Sequence, residues 1–189
     1  MLISKFNNEH NDKNINIFED KFKIKIPEEY RNFLIKYNGG KTPNTKFKSN
    51  KIFSDLMGFY GFGKAEKELN YRELEQLEVI NDYLNDHMMP IGSNVFGDKI
   101  TIGLKGFNKG KLFFLYHDRP QNYVKIAENF HEFVELCKSQ KIGYIPSIEE
   151  RKQKMIEKGS GDKITEFSIK GWQAEIDEYK NIIQEVLIL

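Results

Sequence analysis

The sequence predicts an α+β fold, since stretches with helical periodicity alternate with stretches that show the apolar alternation of strands. The helical pattern is clearest over residues 27–38, where an apolar stripe lies between a proline and a pair of glycines. The strand pattern is clearest over residues 91–118, a β-hairpin with a glycine-rich turn that ends in His117-Asp118. The chain has 189 residues, enough for one domain with a hydrophobic core and a terminal appendage.

The predicted helix at 27–38 carries signals at both ends. Pro27 occupies the expected first helical position, where its missing N–H costs nothing. Two glutamates follow in the first turn, where the helix dipole favours anions. The inward stripe comprises Tyr30, Phe33, Leu34 and Tyr37. Asn38, Gly39 and Gly40 end the helix, because asparagine and glycine readily adopt the left-handed conformation.

The segments before and after this helix have weaker patterns. Residues 1–16 are polar and rich in asparagine, which predicts a loop or a frayed helix. Residues 17–22 are expected to end a short helix, and residues 22–26 alternate as a strand does. Residues 41–51 are predicted to form a polar loop, and residues 52–63 a short strand and a turn.

An acidic helical region is predicted at residues 64–87, followed by a short strand at 88–91. Its inward side chains are expected to be Leu74, Leu77, Ile80 and Leu84. The hairpin then places strands at 100–104 and 111–116, and a third strand follows at 123–127. Asn129 with Glu132 suits a helix start, and the buried stripe of that helix is predicted to be Phe130, Phe133, Val134 and Cys137.

Residues 143–189 are predicted to form a helical extension. Ser147 and Glu150 have the spacing of a capping box, which opens a mostly polar helix. A heptad-like seam of two heptads follows, made by Trp172, Ile176, Tyr179, Ile183 and Val186. So short a seam does not form an independent coiled coil, so it is expected to dock on the domain or on a partner.

Composition argues against several classes of protein. No apolar run approaches the roughly 18 residues of a membrane span, and the N-terminus has no apolar signal segment. The single cysteine, Cys137, excludes an internal disulfide and is typical of a reducing cytoplasm. The net charge is +1, and four of the 29 basic residues are arginine, so general nucleic-acid binding is not expected. The predicted protein is cytoplasmic, with no membrane partner.

The polar residues include only incomplete catalytic and metal-binding patterns. Residues 58–65 come close to a phosphate-binding P-loop, but Ala65 replaces the required hydroxyl, which favours a structural turn. His117-Asp118 has no second ligand at metal-like spacing, so hydrogen bonding of the next turn is favoured over a catalytic or small-ligand role. Cys137 lies on an apolar stripe and is expected to be a buried thiol. No metal and no cofactor is predicted.

The acidic region at 64–87 allows two interpretations. It carries seven acidic and three basic residues, whereas residues 1–51 carry eleven basic and six acidic. A solvated helix face is one interpretation. The other is a surface that attracts a basic protein partner and speeds its association. The candidate partner-binding residues are Glu66, Glu68, Glu73, Glu75 and Asp82.

Four motifs in order resemble the SUKH superfamily, which includes fungal cell-wall-assembly regulators and many bacterial immunity proteins. They are the Ile26–Gly40 helix, the Ile91–Ile100 loop with Gly97-Asp98, the Gly110–Asp118 strand, and the Asn129–Cys137 helix. Structural roles are implied for Pro27, Tyr30, Phe33, Asn38, Gly39, Gly97, Asp98, His117 and Asp118. The predicted domain is residues 17–142, and residues 143–189 lie beyond the usual end of the family domain.

The resemblance implies a single domain with a mainly antiparallel sheet flanked by helices. It also implies a non-enzymatic immunity protein that neutralises a cognate polymorphic or contact-dependent toxin, such toxins often being nucleases or deaminases. The alternative is a regulatory scaffold similar to the fungal members. The oligomeric state and the identity of the toxin are left open.

Overall fold

Two antiparallel sheets organise the larger of two compact units in the computed structural model, which describes residues 1–119 and 121–189. The larger unit comprises Met1–Lys141 and Gln184–Leu189, and the smaller comprises Ile142–Ile183. The strands of the larger unit are, in chain order, β1 (Leu2–Lys5), β2 (Gly40–Lys41), β3 (Thr45–Lys48), β4 (Phe53–Asp55), β5 (Gly58–Phe59), β6 (Met88–Ser93), β7 (Lys99–Gly103), β8 (Leu112–Leu115), β9 (Tyr123–Ala127), β10 (Cys137–Ser139) and β11 (Glu185–Val186).

Eight of these strands form one sheet in the order β11-β1-β2-β5-β6-β7-β8-β9, and the other three form a small sheet in the order β10-β3-β4. The helices of the same unit are α1 (Asn11–Phe22), α2 (Glu28–Tyr37), α3 (Tyr71–Gln76), α4 (Val79–Asn85) and α5 (Phe130–Leu136). All the strand pairs are antiparallel. The predicted α+β class with a mainly antiparallel sheet is therefore confirmed.

Helix α2 ends as predicted and begins one residue later than predicted. Pro27 has φ −53° and ψ 137°, so it is the extended residue before the helix rather than the first helical residue. Asn38 has φ 55°, the left-handed conformation expected at the end of a helix. The side-chain NH₂ group of Asn38 donates to the backbone carbonyls of Asn7 and Phe62. The side-chain oxygen, Oδ1, accepts the Phe62 N–H at 2.8 Å. Asn38 thus ends the helix and joins it to the neighbouring chain.

Aromatic rings fill the core between α2, α5 and the sheets. The Phe33 ring centroid lies 5.0 Å from that of Phe130 and 5.1 Å from that of Phe59. Phe133 continues the ring contacts to Phe47 in the small sheet, at 5.2 Å. Offset and edge-on ring pairs add to the stability that comes from buried area alone.

Within residues 1–51, the helix predicted to end at residues 17–22 is confirmed by α1, but three other predictions are wrong in whole or in part. Residues 1–16 contain strand β1, which pairs with β2 and β11, partners far away in the sequence. Residues 22–26 form no strand, because Lys23 turns the chain at φ 52° and Ile26 donates its N–H to the Glu19 carboxylate at 2.8 Å. Residues 41–51 contain β3, which alternates buried and exposed residues and pairs with β10.

The acidic segment also differs from its prediction as one helical region. It comprises α3 and α4, which are separated where Glu78 adopts φ 58°. Leu74 and Ile80 are buried as predicted, and Leu84 packs against the core. Leu77 is 68% exposed, because the break between the helices turns it to solvent, so its prediction is wrong.

The smaller unit contains two helices, α6 (Ile148–Glu157) and α7 (Glu166–Tyr179). The capping box predicted at Ser147 is present, and Arg151 in α6 donates to Glu175 in α7 at 2.7 Å. The predicted seam of five residues is wrong, because α7 ends at Tyr179 and Ile183 is exposed.

The last six residues also depart from the predicted extension at 143–189, since they belong to the larger unit. Val186 pairs with Leu2 in the large sheet, and the Ile188 N–H donates to the Tyr37 hydroxyl at 3.0 Å. Strand pairing across so many residues has no local sequence signal.

Candidate functional site

The loop between β6 and β7 is built around two buried polar residues, Asn94 and Asp98. The Asn94 side-chain amide donates to the Asp98 carboxylate at 2.8 Å and to the Ser54 hydroxyl at 3.1 Å. Its carbonyl oxygen accepts the N–H groups of Phe96 and Asp98, at 3.0 and 2.9 Å. One asparagine therefore closes the loop from the inside and joins it to β4.

Asp98 also holds the segment that follows β8. One of its carboxylate oxygens accepts the His117 backbone N–H at 2.9 Å and the His117 Nδ1–H at 2.8 Å. Burial alone raises the pKa of Asp98, but the hydrogen bonds from His117 and Asn94 outweigh it, so the pKa lies below its ordinary value. Asp98 is therefore an ionised carboxylate that connects two loops of the sheet.

The expectation that His117 bonds the turn next to it is corrected by this geometry. His117 contacts Asp98, which lies 19 residues earlier, because β7 and β8 are paired in the sheet. Asp118 does not share in this cluster: its side chain is 61% exposed and lies 3.9 Å from Arg119. The two adjacent motif residues therefore have different environments.

The same loop presents two apolar side chains to solvent, Val95 and Phe96, which we call the loop tip. They are 66% and 71% exposed. Gly97 follows at φ 91°, a conformation that glycine adopts without strain. A buried polar base and an exposed apolar tip are a suitable arrangement for contact with another molecule.

A pocket of about 420 Å³ begins at Gly97 and extends between α4 and the ends of β8 and β9. We call it the α4 pocket. Its lining includes Asp82, Tyr83, Asp86, Tyr116, His117 and Tyr123. The Tyr123 hydroxyl donates to Asp86 at 2.9 Å, and burial together with this bond raises the pKa of Tyr123. Burial likewise raises the pKa of Tyr83 to about 12, so both phenols are neutral.

Lys99 also lines the α4 pocket, but its ammonium is bound elsewhere. The Nζ atom donates to the Ser93 hydroxyl at 3.1 Å and lies 5.7 Å from the Tyr60 ring centroid. Burial lowers the pKa of Lys99. In the part of the chain that the structure describes, Asp82 and Asp86 form no salt bridge with lysine or arginine.

The five predicted partner-binding residues do not lie on one helix face. Glu66 pairs with Lys41 of β2 at 2.6 Å, and Glu75 pairs with Lys21 of α1. Asp82 lies in the α4 pocket. Glu68 and Glu73 lie on the segment before the helix break. Glu68 is exposed and Glu73 is half-buried. The role of these five in partner binding stays a prediction.

The other predicted motif residues support the fold. The Tyr30 hydroxyl lies 3.2 Å from that of Tyr71, and Phe33 is in the ring cluster. Gly39 approaches the backbone of Phe59 and Tyr60 so closely that an added Cβ would lie 2.5 Å from the Tyr60 carbonyl oxygen. These residues position the sheet on which the loop and the pocket are built.

Cys137 and the start of the P-loop-like segment at residues 58–65 both lie in strands of the larger unit. Cys137 is buried, as expected, but it lies in β10 rather than on a helix, and burial raises its pKa to about 12. The P-loop-like segment forms β5, which pairs with β2 and β6, and its Phe59 and Phe62 rings are buried. Neither feature faces the α4 pocket.

Asn94, Phe96 and Tyr123 were not predicted from the sequence as site residues. A usable signal existed for Phe96 and its neighbour Asn94. The apolar pair Val95-Phe96 stands inside a run of glycine, serine, asparagine and aspartate. Apolar side chains in such a turn have no core to enter, so they are candidates for a contact surface. The contribution of Tyr123 depends on sheet pairing and had no local signal.

These observations define an antiparallel α+β domain whose polar loop and adjoining pocket are held by motif residues. The chain belongs to the SMI1/KNR4 family (SUKH-1), whose model matches residues 10–136. This match confirms the resemblance to the SUKH superfamily. The comparison with curated proteins produced no match.

The described residues contain neither a candidate metal cluster nor a helix suited to a membrane. Residues 1–119 and 121–189 contain no group of three or more His, Cys, Asp or Glu side chains that could hold a metal ion. Over the same residues, no helix combines the length and apolar character that crossing a bilayer requires.

Replacing Asp98 with alanine is expected to lower the free energy of unfolding by about 3 kcal/mol near neutral pH, because the buried Asn94 amide and the two His117 N–H groups lose a charged acceptor. Since folding lowers the pKa of Asp98, its contribution is present above the unfolded pKa and is lost as pH falls through the folded pKa. Urea unfolding of the native and Asp98→Ala proteins should show that their difference in free energy of unfolding shrinks from neutral to acid pH. A difference that is constant with pH would contradict this role, and Asp118→Ala is the exposed control.

Proposed function

We propose that this protein is a cytoplasmic immunity protein, which binds a cognate polymorphic or contact-dependent toxin and neutralises it without catalysis. The observation that carries the proposal is membership of the SMI1/KNR4 family over residues 10–136, because the related bacterial proteins are generally toxin-neutralising. The toxin class includes nucleases, whose phosphate-binding surfaces are basic.

The surface chemistry supports a binding role. The loop tip is apolar, exposed and held from below by Asn94 and Asp98. The α4 pocket beside it combines tyrosine rings with two carboxylates. Interfaces are enriched in aromatic residues, and charge complementarity speeds the association of the right partner.

The proposal is tested by co-expression with the products of the genes adjacent to this one. One of them should stop growth when expressed alone, and this protein should restore growth when co-expressed with it. An unrelated toxin serves as the specificity control and should remain toxic. If every adjacent product is harmless, or if the toxic one still arrests growth at full expression of this protein, the proposal is wrong.

A further inference from the structure

We propose that the loop tip and the α4 pocket form one docking surface for a protein partner, with an apolar recess for Phe96 and an adjacent arginine or lysine that enters the pocket. The proposal deepens the proposed function and rests on it for the partner's identity. The two features are contiguous, because Gly97 directly follows Phe96 and lines the pocket. His117 lies in the same pocket and is bonded to the loop through Asp98.

The loop tip is preorganised. Every backbone N–H from residue 94 to residue 98 has an acceptor within the protein. The acceptors are, in chain order, the Asp98 carbonyl, the Asp55 carboxylate, the Asn94 side chain, the Asn94 carbonyl and the Asn94 side chain again. An exposed apolar side chain on a backbone that is already ordered loses little further conformational entropy when it binds.

Phe96 differs from the other exposed phenylalanine of the sheet loops. Phe107 is 88% exposed, but the Lys111 ammonium lies 3.3 Å from its ring centroid. Among the described residues no ring or cation lies over Phe96. The Phe96 ring is therefore available to a partner, and Phe107 provides a matched control.

The α4 pocket has the chemistry for one cationic side chain. Asp82 and Asp86 supply negative charge, and neutral Tyr83 and Tyr123 supply ring faces. Aromatic faces and carboxylates together attract guanidinium and ammonium groups. The adjacent Tyr116 ring has the Arg119 guanidinium of the same chain 5.2 Å from its centroid, a cation–ring contact of the kind proposed for the partner's side chain.

The pocket is tested without the toxin by NMR titration of the full chain with L-argininamide. We expect fast-exchange shifts at the amides of Gly97, His117 and Tyr123, with an affinity on the order of millimolar for so small a ligand. The shifts should be lost in Asp82→Asn/Asp86→Asn and kept in Asp20→Asn/Glu28→Gln, which changes net charge equally at exposed sites. Absence of shifts in the native chain, or equal shifts in both double variants, would overturn the pocket assignment.

The whole surface is tested with a catalytically inactive form of the toxin that the growth experiment identifies. Phe96→Ser should weaken binding by about 30-fold, as expected for loss of a central aromatic contact, whereas Phe107→Ser should bind normally. Asp82→Asn/Asp86→Asn should slow association at low salt by about 10-fold. Tight binding by all these variants would overturn the surface while leaving the immunity function intact. If the growth test fails but the argininamide shifts are present, the immunity function is overturned and the pocket assignment stands.

Discussion

Gly39→Ala is expected to destabilise the larger unit by more than about 4 kcal/mol, enough to leave much of the protein unfolded. The residue has φ 74°, and its Cβ would lie 2.5 Å from the Tyr60 carbonyl oxygen and 2.6 Å from that of Phe59. Neither oxygen can withdraw easily, because Phe59 in β5 is paired with β2 and β6 and the Tyr60 N–H donates to the Ile91 carbonyl. The substitution therefore combines left-handed strain with a backbone clash at the junction of α2 and the sheet.

Gly110→Ala separates these two effects. Gly110 has φ 80°, and nothing lies within 4 Å of an added Cβ, so only the conformational strain of about 1 kcal/mol remains. Urea unfolding followed by circular dichroism measures both variants. If Gly39→Ala costs no more than Gly110→Ala, the close approach of Gly39 to β5 is contradicted.

Phe33→Ala should lower the free energy of unfolding by about 3–5 kcal/mol. The ring is 2% exposed and lies within 5.6 Å, centroid to centroid, of the rings of Tyr30, Tyr37, Phe59 and Phe130. Rings from α2, α5 and β5 would therefore face a cavity that the paired strands cannot close.

The control for Phe33→Ala is Ile17→Ala, since Ile17 lies on α1 and is 55% exposed. Its change should stay below about 1 kcal/mol, because little apolar area is lost from the interior. The free energy of unfolding in urea is again the measurement. Equal effects of the two substitutions would show that Phe33 is not central to the core.

The features predictable from sequence are those with a local physical cause. Asn38 at the end of α2, Asn129 before α5 and Ser147 before α6 all form the predicted end structures, because each depends on residues within one turn. The strand at 123–127 is also found where predicted, since its apolar pattern and flanking turns are local. Confirmation of the fold class follows from such elements.

The features that were missed depend on contacts distant in sequence. Strand β1 exists because β2 and β11 pair with it, and neither partner is visible from the polar composition of residues 1–16. The motif residues Asp98 and His117 were both selected, but their contact requires the register of β7 on β8. The α4 pocket likewise combines a helix with the ends of two strands, so no window of sequence contains it.

The proposed function requires that the protein neutralise a toxin by occupying it rather than by acting on it chemically. Titration of the purified toxin's activity with this protein tests it directly. The claim predicts a linear fall in activity to an end point at a fixed stoichiometric ratio, with intact toxin recovered after denaturation of the complex. Complete inhibition at a small fraction of that ratio, or a covalently altered toxin, would contradict it and indicate an enzyme.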